Sequence, residues 1–253
     1  VTANKYQTFG NPYASRIAFS SVYAASTGIN DVFYVWDPKL AGSYNVGGYQ
    51  TISGIAGYVP TVGTPPTGNP ASDYYPAGVP SPYIESGQAV FVKGNGSGGN
   101  VNFNENVKVT GSRLVNRPAN INDPIARRQF LFTTLFTNTG NIADGNIVTF
   151  EKGFGNELNE NDAEKIMNVG ENFGLMRNGS ILAVEAHEPV KVTDTIFYNM
   201  NNLRRQPYQL RFAPVNMGSI NQQPLLIDRF TNIITPLSLT DSSFVYFNVT
   251  ADP

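Results

Sequence analysis

Apolar residues alternate with polar ones along much of this chain, and this period of two is the feature that most restricts its fold. The clearest examples are residues 101–109, where valine and phenylalanine alternate with asparagine and lysine, and residues 208–212. Successive side chains of a β-strand point to opposite faces of the sheet, so this alternation predicts half-buried strands. Residues 244–249 predict a further strand that is apolar on both faces.

Six more strands are predicted from apolar runs bounded by turn residues, at 31–36, 88–93, 129–137, 147–151, 181–186 and 194–198. The pair Asn178-Gly179 suits a tight hairpin turn between two of them. Only the segment from Asn161 to Met167 combines a cap candidate with good helix formers, which predicts one short helix near residues 161–168. The chain is therefore predicted to be all-β, an antiparallel β-sandwich or jelly-roll-like fold with one or two packed sandwiches.

Two segments interrupt the strand pattern and suggest how the chain is divided. Residues 53–88 are rich in glycine, proline and tyrosine, and a loop of this length inside a compact domain is uncommon and often functional. Residues 113–128 contain two prolines and four arginines and resemble a connector. We therefore predict an N-terminal β region over residues 1–115, which carries the long loop 53–88, and a C-terminal β-sandwich over residues 125–253.

The residue content excludes several classes of function. A net charge of −2 argues against nucleic-acid binding, which needs a basic surface. The absence of cysteine excludes disulfide scaffolds, thiolate zinc sites and cysteine nucleophiles, and a single histidine excludes histidine-rich metal sites. No apolar run approaches the roughly 18 residues of a membrane-spanning helix, so no membrane span is predicted.

Four tyrosines of the long loop are the candidate ligand-binding residues: Tyr58, Tyr74, Tyr75 and Tyr83. Exposed aromatic faces offer flat apolar surfaces to sugar rings, and a few polar groups then fix the orientation of the ligand. The alternative is that these rings anchor the loop to the sheets, with their hydroxyl groups paired. Both interpretations stay open at the level of sequence.

Residues 151–171 contain six acidic side chains among several asparagines, and they are the candidate metal site. Ca²⁺ binds six to eight oxygen ligands from a flexible loop, and Asn159, Asn161, Asp162 and Glu164 could supply some of them. The spacing differs from that of an EF-hand loop. The alternative is that these acids complement the dipole at the start of the predicted helix.

No arrangement of catalytic residues stands out. A glycan hydrolase needs two carboxylates about 5–9 Å apart, and nothing in the sequence selects one pair among 19 acidic residues. His187 is followed by Glu188, which could orient the ring, but no nucleophile is associated with it. No catalytic residue is therefore assigned, and the chain is predicted not to be an enzyme.

Four segments, taken in order, resemble one region of large secreted and surface proteins of Bacteroidetes-type bacteria. That region contains the motifs GNPYPS, YVWDP and GQxFFV in this order, followed by a characteristic C-terminal segment. The corresponding segments here are residues 10–15, 32–38, 84–92 and 226–253. In such proteins this end normally precedes a small C-terminal sorting domain of the type IX secretion system.

The resemblance implies export, an extracellular or cell-surface location and a β-sandwich fold, and it implies no catalytic residue. The leading hypothesis is thus a non-catalytic β module in cell adhesion, or a structural unit of a larger secreted protein. Carbohydrate binding through the tyrosine-rich loop is the alternative, followed by a glycan-active hydrolase or a self-assembling fibre or sheath subunit. The expected partners are cell-surface or extracellular polysaccharides or other surface proteins, including further copies of the chain.

Overall fold

The computed structural model describes residues 1–62, 79–109 and 127–250, which form a mostly β protein. Within these ranges lie sixteen strands and one short α-helix, α1, at Phe19–Ala25. The strands are β1 Tyr6–Gly10, β2 Ile17–Ala18, β3 Ile29–Asp37, β4 Gly48–Ser53, β5 Tyr83–Ile84, β6 Ala89–Gly94, β7 Gln129–Thr137, β8 Ile142–Phe150, β9 Ala163–Glu164, β10 Asn172–Arg177, β11 Ser180–His187, β12 Tyr198–Asn201, β13 Pro207–Val215, β14 Leu225–Ile227, β15 Ile234–Pro236 and β16 Ser243–Asn248. The predicted all-β class is confirmed.

The strands form a small sheet, a large sheet and two hairpin-sized pairs. The small sheet is antiparallel, with the order β1-β6-β3-β4. The large sheet has the order β12-β10-β11-β8-β7-β13-β16, and the short strand β9 pairs with β11 outside this path. It is a mixed sheet because β8 and β11 run parallel to each other. The remaining pairs are β2 with β5 and β14 with β15.

The large sheet curls into a half-barrel. Tyr198 on β12 and Phe212 on β13 are separated by four strands in the sheet, yet their ring centroids are only 5.9 Å apart. The hydroxyl of Tyr198 also lies 3.1 Å from that of Thr133 on β7. Side chains of distant strands can meet in this way only on the inside of the curl. The face that carries Tyr198, Phe212 and Thr133 is therefore the concave face.

The opposite, convex face of the large sheet packs against the small sheet. Val32 and Tyr34 of β3 share one buried hydrophobic cluster with Phe130, Ile147 and Val184 of the large sheet. The two sheets come from the two predicted regions of the chain, and this cluster contains residues of both. The predicted boundary, between residues 115 and 125, lies outside the described residues.

Most of the predicted strands are present, and two predictions were wrong. Residues 101–109 form no strand; a 3-10 turn at Glu105–Val107 begins where the Asn104 side chain accepts the backbone N–H of Asn106. Such a local side-chain bond competes with strand pairing, and alternation of residue types does not reveal it. The strand predicted at 194–198 begins only at Tyr198. The tight turn at Asn178 and Gly179 is confirmed, because both residues have positive φ, +48° and +82°.

The helix predicted near residues 161–168 is also wrong. Ala163–Glu164 is instead the short strand β9, which pairs with β11, and Lys165 continues the contact by donating its backbone N–H to Ile181. Two helical turns are marginal in isolation, so bonding to a neighbouring strand prevails. The helix that does form, α1, has no side-chain cap and buries Phe19 and Val22 against the small sheet.

One ion pair lies inside the large-sheet region. The Lys165 ammonium is 2.7 Å from the Asp144 carboxylate, and both side chains are almost fully buried. Asp144 also accepts the backbone N–H groups of Gly145 and Phe173. Burial raises the pKa of the Asp144 carboxyl, and Lys165 opposes that rise. The pair is therefore satisfied as a unit, and removal of one partner would leave the other buried without its counter-charge.

We predict that Lys165→Ala lowers the free energy of unfolding by about 3–5 kcal/mol, the usual cost of breaking a buried pair. Urea denaturation followed by tryptophan fluorescence measures this change. The matched control is Lys191→Ala, which breaks an exposed pair with Glu188 and should cost less than about 1 kcal/mol. Equal losses in the two variants would contradict the structural role of the buried pair.

Candidate functional site

Tyr58, the first of the predicted ligand-binding tyrosines, is held by contacts within the protein. Its hydroxyl donates to the Asp31 carboxylate at 2.7 Å, and its ring meets that of Phe19 edge-on at 6.5 Å. Burial and the charge of Asp31 raise the pKa of the Tyr58 hydroxyl, while burial raises the pKa of Asp31 itself. Tyr58 has a φ of +57°, which is unusual for a bulky residue and requires support from its surroundings. These contacts match the anchoring interpretation.

Tyr83 lies on β5, where its backbone pairs with Ala18. The Arg16 guanidinium stacks over the Tyr83 ring, 4.2 Å from its centroid. The ring therefore already has a cation on one face. Tyr74 and Tyr75 lie outside the described residues, and a sugar site that uses them stays a prediction.

Three of the four residues of the predicted metal site hydrogen-bond to one another, and the fourth, Glu164, pairs outside the set. Asp162 accepts the backbone N–H groups of Asn159 and Ala186, and the Glu164 carboxylate pairs with Lys93 at 2.5 Å. Asn159 uses its side-chain oxygen to accept the N–H of Asn161. Among the described residues, no group of three or more histidine or acidic side chains could hold a metal ion. Asn159, Asn161 and Asp162 thus lie in one hydrogen-bonded turn while Lys93 engages Glu164, and Ca²⁺ binding stays a prediction.

His187 is buried at the end of β11. Its Nδ1 lies 2.7 Å from the backbone oxygen of Glu188, and its ring packs against Phe150 with centroids 5.5 Å apart. The Glu188 carboxylate instead pairs with Lys191. The sequence suggested that the Glu188 side chain orients the His187 ring. In the structure the backbone carbonyl of Glu188 contacts the ring instead.

Sequence reasoning missed a cluster of buried charges beside His187. The Arg177 guanidinium pairs with the carboxylate of Glu185, lies 3.8 Å from that of Asp162 and donates to the backbone oxygen of Ala186 at 3.2 Å. Two buried carboxylates thus share one cation. Burial raises the pKa of Glu185 to about 7, and the negative charge of Asp162 adds to this effect while Arg177 opposes it.

A signal for this cluster was present in the sequence. Glu185 is the one charged residue of the run Ser180–His187, which is otherwise mostly apolar. A charge within a buried strand requires a partner. The identity of that partner could not be derived from the predicted turn, because the hairpin register places Arg177 opposite Ser180 rather than Glu185.

Several large apolar side chains are exposed on the hairpin formed by β14 and β15. Leu226 points inward and packs with Val245 and Phe247 of the concave cluster. The alternate positions of both strands point outward and are exposed, as are nearby residues of the connecting turn. We call this set the hairpin face: Leu225, Ile227, Phe230, Ile233, Ile234 and Pro236.

The turn of this hairpin is ordered by its own hydrogen bonds. The Asp228 carboxylate accepts from the backbone N–H groups of Phe230 and Thr231 and from the Thr231 hydroxyl. The hydroxyl bond lowers the pKa of Asp228. The neighbouring Arg229 guanidinium lies 5.0 Å from the ring centroid of Phe197. The turn therefore holds Phe230 in a defined position with its side chain 95 % exposed.

The exposed face of a sheet that packs on a core with its other face is ordinarily polar. The hairpin face is apolar instead, and contiguous apolar surface of this kind marks an interaction site. A second exposed apolar pair, Phe244 and Tyr246, lies on β16 at the edge of the large sheet. Among the described residues, the hairpin face is thus the strongest candidate for contact with another molecule.

Comparison with known proteins identifies the family of the chain. Residues 1–252 match the family described as a domain of unknown function, DUF8693, and the chain belongs to this family. No curated protein and no solved structure matches it significantly. No helix among residues 1–62, 79–109 and 127–250 is long and apolar enough to cross a membrane.

The buried charge cluster predicts a pH dependence of stability. The pKa of Glu185 rises on folding from 4.5 to about 7, so the folded protein binds the proton more tightly than the unfolded chain. The stability gained from this tighter proton binding at Glu185 is fully present below pH 4.5 and is lost as the pH rises through about 7. Glu185→Gln should remove this loss, so that the variant gains stability relative to wild type as the pH rises.

Urea denaturation over this pH range measures the difference. The control is Glu188→Gln, which alters an exposed carboxylate directly after the end of β11 and should keep the pH dependence of the wild type. If the free energy of unfolding changes with pH in the same way for Glu185→Gln and for wild type, Glu185 is not the group whose proton is bound more tightly in the folded protein.

Proposed function

We propose that this member of the DUF8693 family is a non-catalytic β module that acts outside the cell or at its surface. It serves as a structural or adhesive unit of a larger secreted protein and makes its contacts through the hairpin face. The single observation that carries the proposal is that an ordered hairpin presents an apolar outer face. The resemblance to secreted proteins of Bacteroidetes-type bacteria, in which such a region normally precedes a type IX sorting domain, supports the location.

The chemistry of the hairpin face favours a second copy of the same chain as its partner. None of the six side chains of the face carries a charge. Asp228 and Arg229 are exposed in the turn of the same hairpin and their charges cancel, so apolar burial can still drive the contact between two faces related by a two-fold axis. The net charge of −2 adds little long-range repulsion between copies. We therefore infer pairing of modules through this face.

The ordered turn strengthens the argument for contact. A surface loop that is mobile must lose conformational entropy when it binds. Here the Asp228 bonds fix the turn before any contact is made, so Phe230 is already held in an extended position. Large aromatic side chains are enriched among the residues that dominate binding energy at interfaces.

Self-association is the direct test. The wild-type mass, measured by light scattering after size-exclusion chromatography, should rise with concentration. The double variant Ile227→Thr with Phe230→Ser should shift the monomer–dimer equilibrium toward monomer by at least tenfold, because burial of each large apolar side chain contributes about 1.5–3 kcal/mol.

The control for this test is Val192→Thr, which changes an exposed apolar side chain in the loop between β11 and β12 and should leave the equilibrium unchanged. A wild-type protein that remains monomeric at every concentration would overturn the proposed pairing. Loss of association in the control as well would show that the effect is not specific to the hairpin face.

The location is tested separately in the native organism. An epitope-tagged full-length protein should be accessible to antibody and to added protease on intact cells. It should also be retained inside cells in which type IX secretion is disrupted. Protection from protease on intact wild-type cells would refute the surface location without bearing on self-association.

A further inference from the structure

The outer side of β16 is a free edge of the large sheet. Within the described part of the chain, β16 is the last strand of this sheet and pairs with β13 alone. Its side chains alternate between half-buried and exposed. Val245 and Phe247 pack in the concave cluster, so Phe244, Tyr246 and Asn248 are exposed on the other face.

The register of β16 shows which of its backbone groups point to the free edge. Facing residues of an antiparallel pair alternate between those that exchange hydrogen bonds and those that do not. Just after β16, Val249 donates its N–H to Gln206, and these two positions continue the register of β13 and β16. Every second residue before Val249 therefore also directs its backbone groups to β13. Phe244, Tyr246 and Asn248 accordingly direct their N–H and C=O groups outward.

This edge lacks the features that usually keep a strand from pairing. Proteins protect free edges with charged side chains, with proline or with a β-bulge. β16 contains no charged residue and no proline, and its register with β13 is regular. The three outward N–H groups and the three outward C=O groups have no hydrogen-bond partner among the described residues. The strand is therefore open to pairing with another strand.

We propose that β16 pairs antiparallel with β16 of a second copy, which joins the two large sheets edge to edge. A two-fold axis through Tyr246 places this residue opposite its own counterpart and Phe244 opposite Asn248. All outward backbone groups of both strands then form hydrogen bonds. An axis through Val245 or Phe247 would instead place an end residue of β16 opposite residues outside the strand, so the axis through Tyr246 is favoured.

The side chains of the edge favour a second copy over an unrelated partner. In this register the two Tyr246 rings are neighbours on the exposed face, and Val245 lies opposite Phe247 on the concave face. Aromatic and β-branched pairs of this kind stabilise antiparallel sheets, and no like charges face each other. A second copy always supplies the matching edge, whereas an unrelated protein would need a similar strand of its own.

Edge pairing has a consequence for assembly that rests on the proposed function. Pairing through the hairpin face is one two-fold contact, and pairing through β16 is another on a different surface. A chain with two such contacts links its copies into an open row rather than a closed dimer. The module would then build a linear array at the cell surface.

Disulfide trapping tests both the contact and its register, because the chain contains no cysteine. Tyr246→Cys places two thiols opposite each other with Cα atoms about 5.5 Å apart, within the range of a disulfide. The matched control is Phe244→Cys on the same exposed face, whose two copies would lie about 14 Å apart along the strands. Mild oxidation should give a covalent dimer of Tyr246→Cys and leave Phe244→Cys monomeric. A mixture of Phe244→Cys with Asn248→Cys should give the mixed dimer.

These variants are made in the hairpin-face variant Ile227→Thr with Phe230→Ser, so that pairing through the hairpin makes no contribution. In the same background, Tyr246→Lys should associate about fivefold more weakly than Tyr246→Gln, because two ammonium groups would face each other across the axis. Sedimentation velocity measures this difference. Unchanged circular dichroism spectra and melting temperatures establish that each variant is folded.

Three results would overturn the proposal: no covalent dimer of Tyr246→Cys, equal yields of dimer from Tyr246→Cys and Phe244→Cys, or equal association of the lysine and glutamine variants. A dimer trapped by Val245→Cys but not by Tyr246→Cys would refute the proposed register. A dimer trapped by Tyr246→Cys supports edge pairing even if the hairpin face proves inactive. The two contacts can therefore fail independently of each other.

Discussion

The packing of β3 between two hydrophobic clusters is the contact on which the rest of this structure depends. Phe33 and Val35 lie in the core of the small sheet, whereas Val32 and Tyr34 lie in the cluster shared with the convex face of the large sheet. One strand is thus buried on both faces and joins the two sheets. Tyr34 adds a polar link, since its hydroxyl donates to the backbone of Glu164 at 2.9 Å. Because β3 is central in its sheet, its position also fixes β6 and, through β6, β1.

Burial of the large sheet on both faces explains why its few charges are paired. The concave face is filled by aromatic and aliphatic side chains, and the convex face is covered by the small sheet. A charge on a strand between them cannot reach water, so Lys165 pairs with Asp144 and Glu185 pairs with Arg177. The cost of desolvation remains visible in the raised pKa values of Asp144 and Glu185. These pairs stabilise one arrangement of strands, because a shift in register would separate them.

The six side chains of the hairpin face carry no charge, although Asp228 and Arg229 are exposed in its turn. Only 14 % of the residues of this chain are charged, and several of these are used in buried pairs. The proposed association through the hairpin face therefore relies mainly on apolar contact, which salt affects only weakly.

Local pattern was sufficient to predict seven of the sixteen described strands, the Asn178-Gly179 turn and the all-β class, because alternation and turn chemistry are properties of neighbouring residues. It failed at residues 101–109 and 161–168, where a side-chain cap and pairing with β11 decided the outcome. The sequence also contained Glu185 and Phe230 without indicating their roles. Only the tertiary structure decided that Glu185 meets Arg177 and that the hairpin turns an apolar face outward. The physical reason is that such neighbours are far apart along the chain, and which of them meet depends on how the sheets pair, curl and pack.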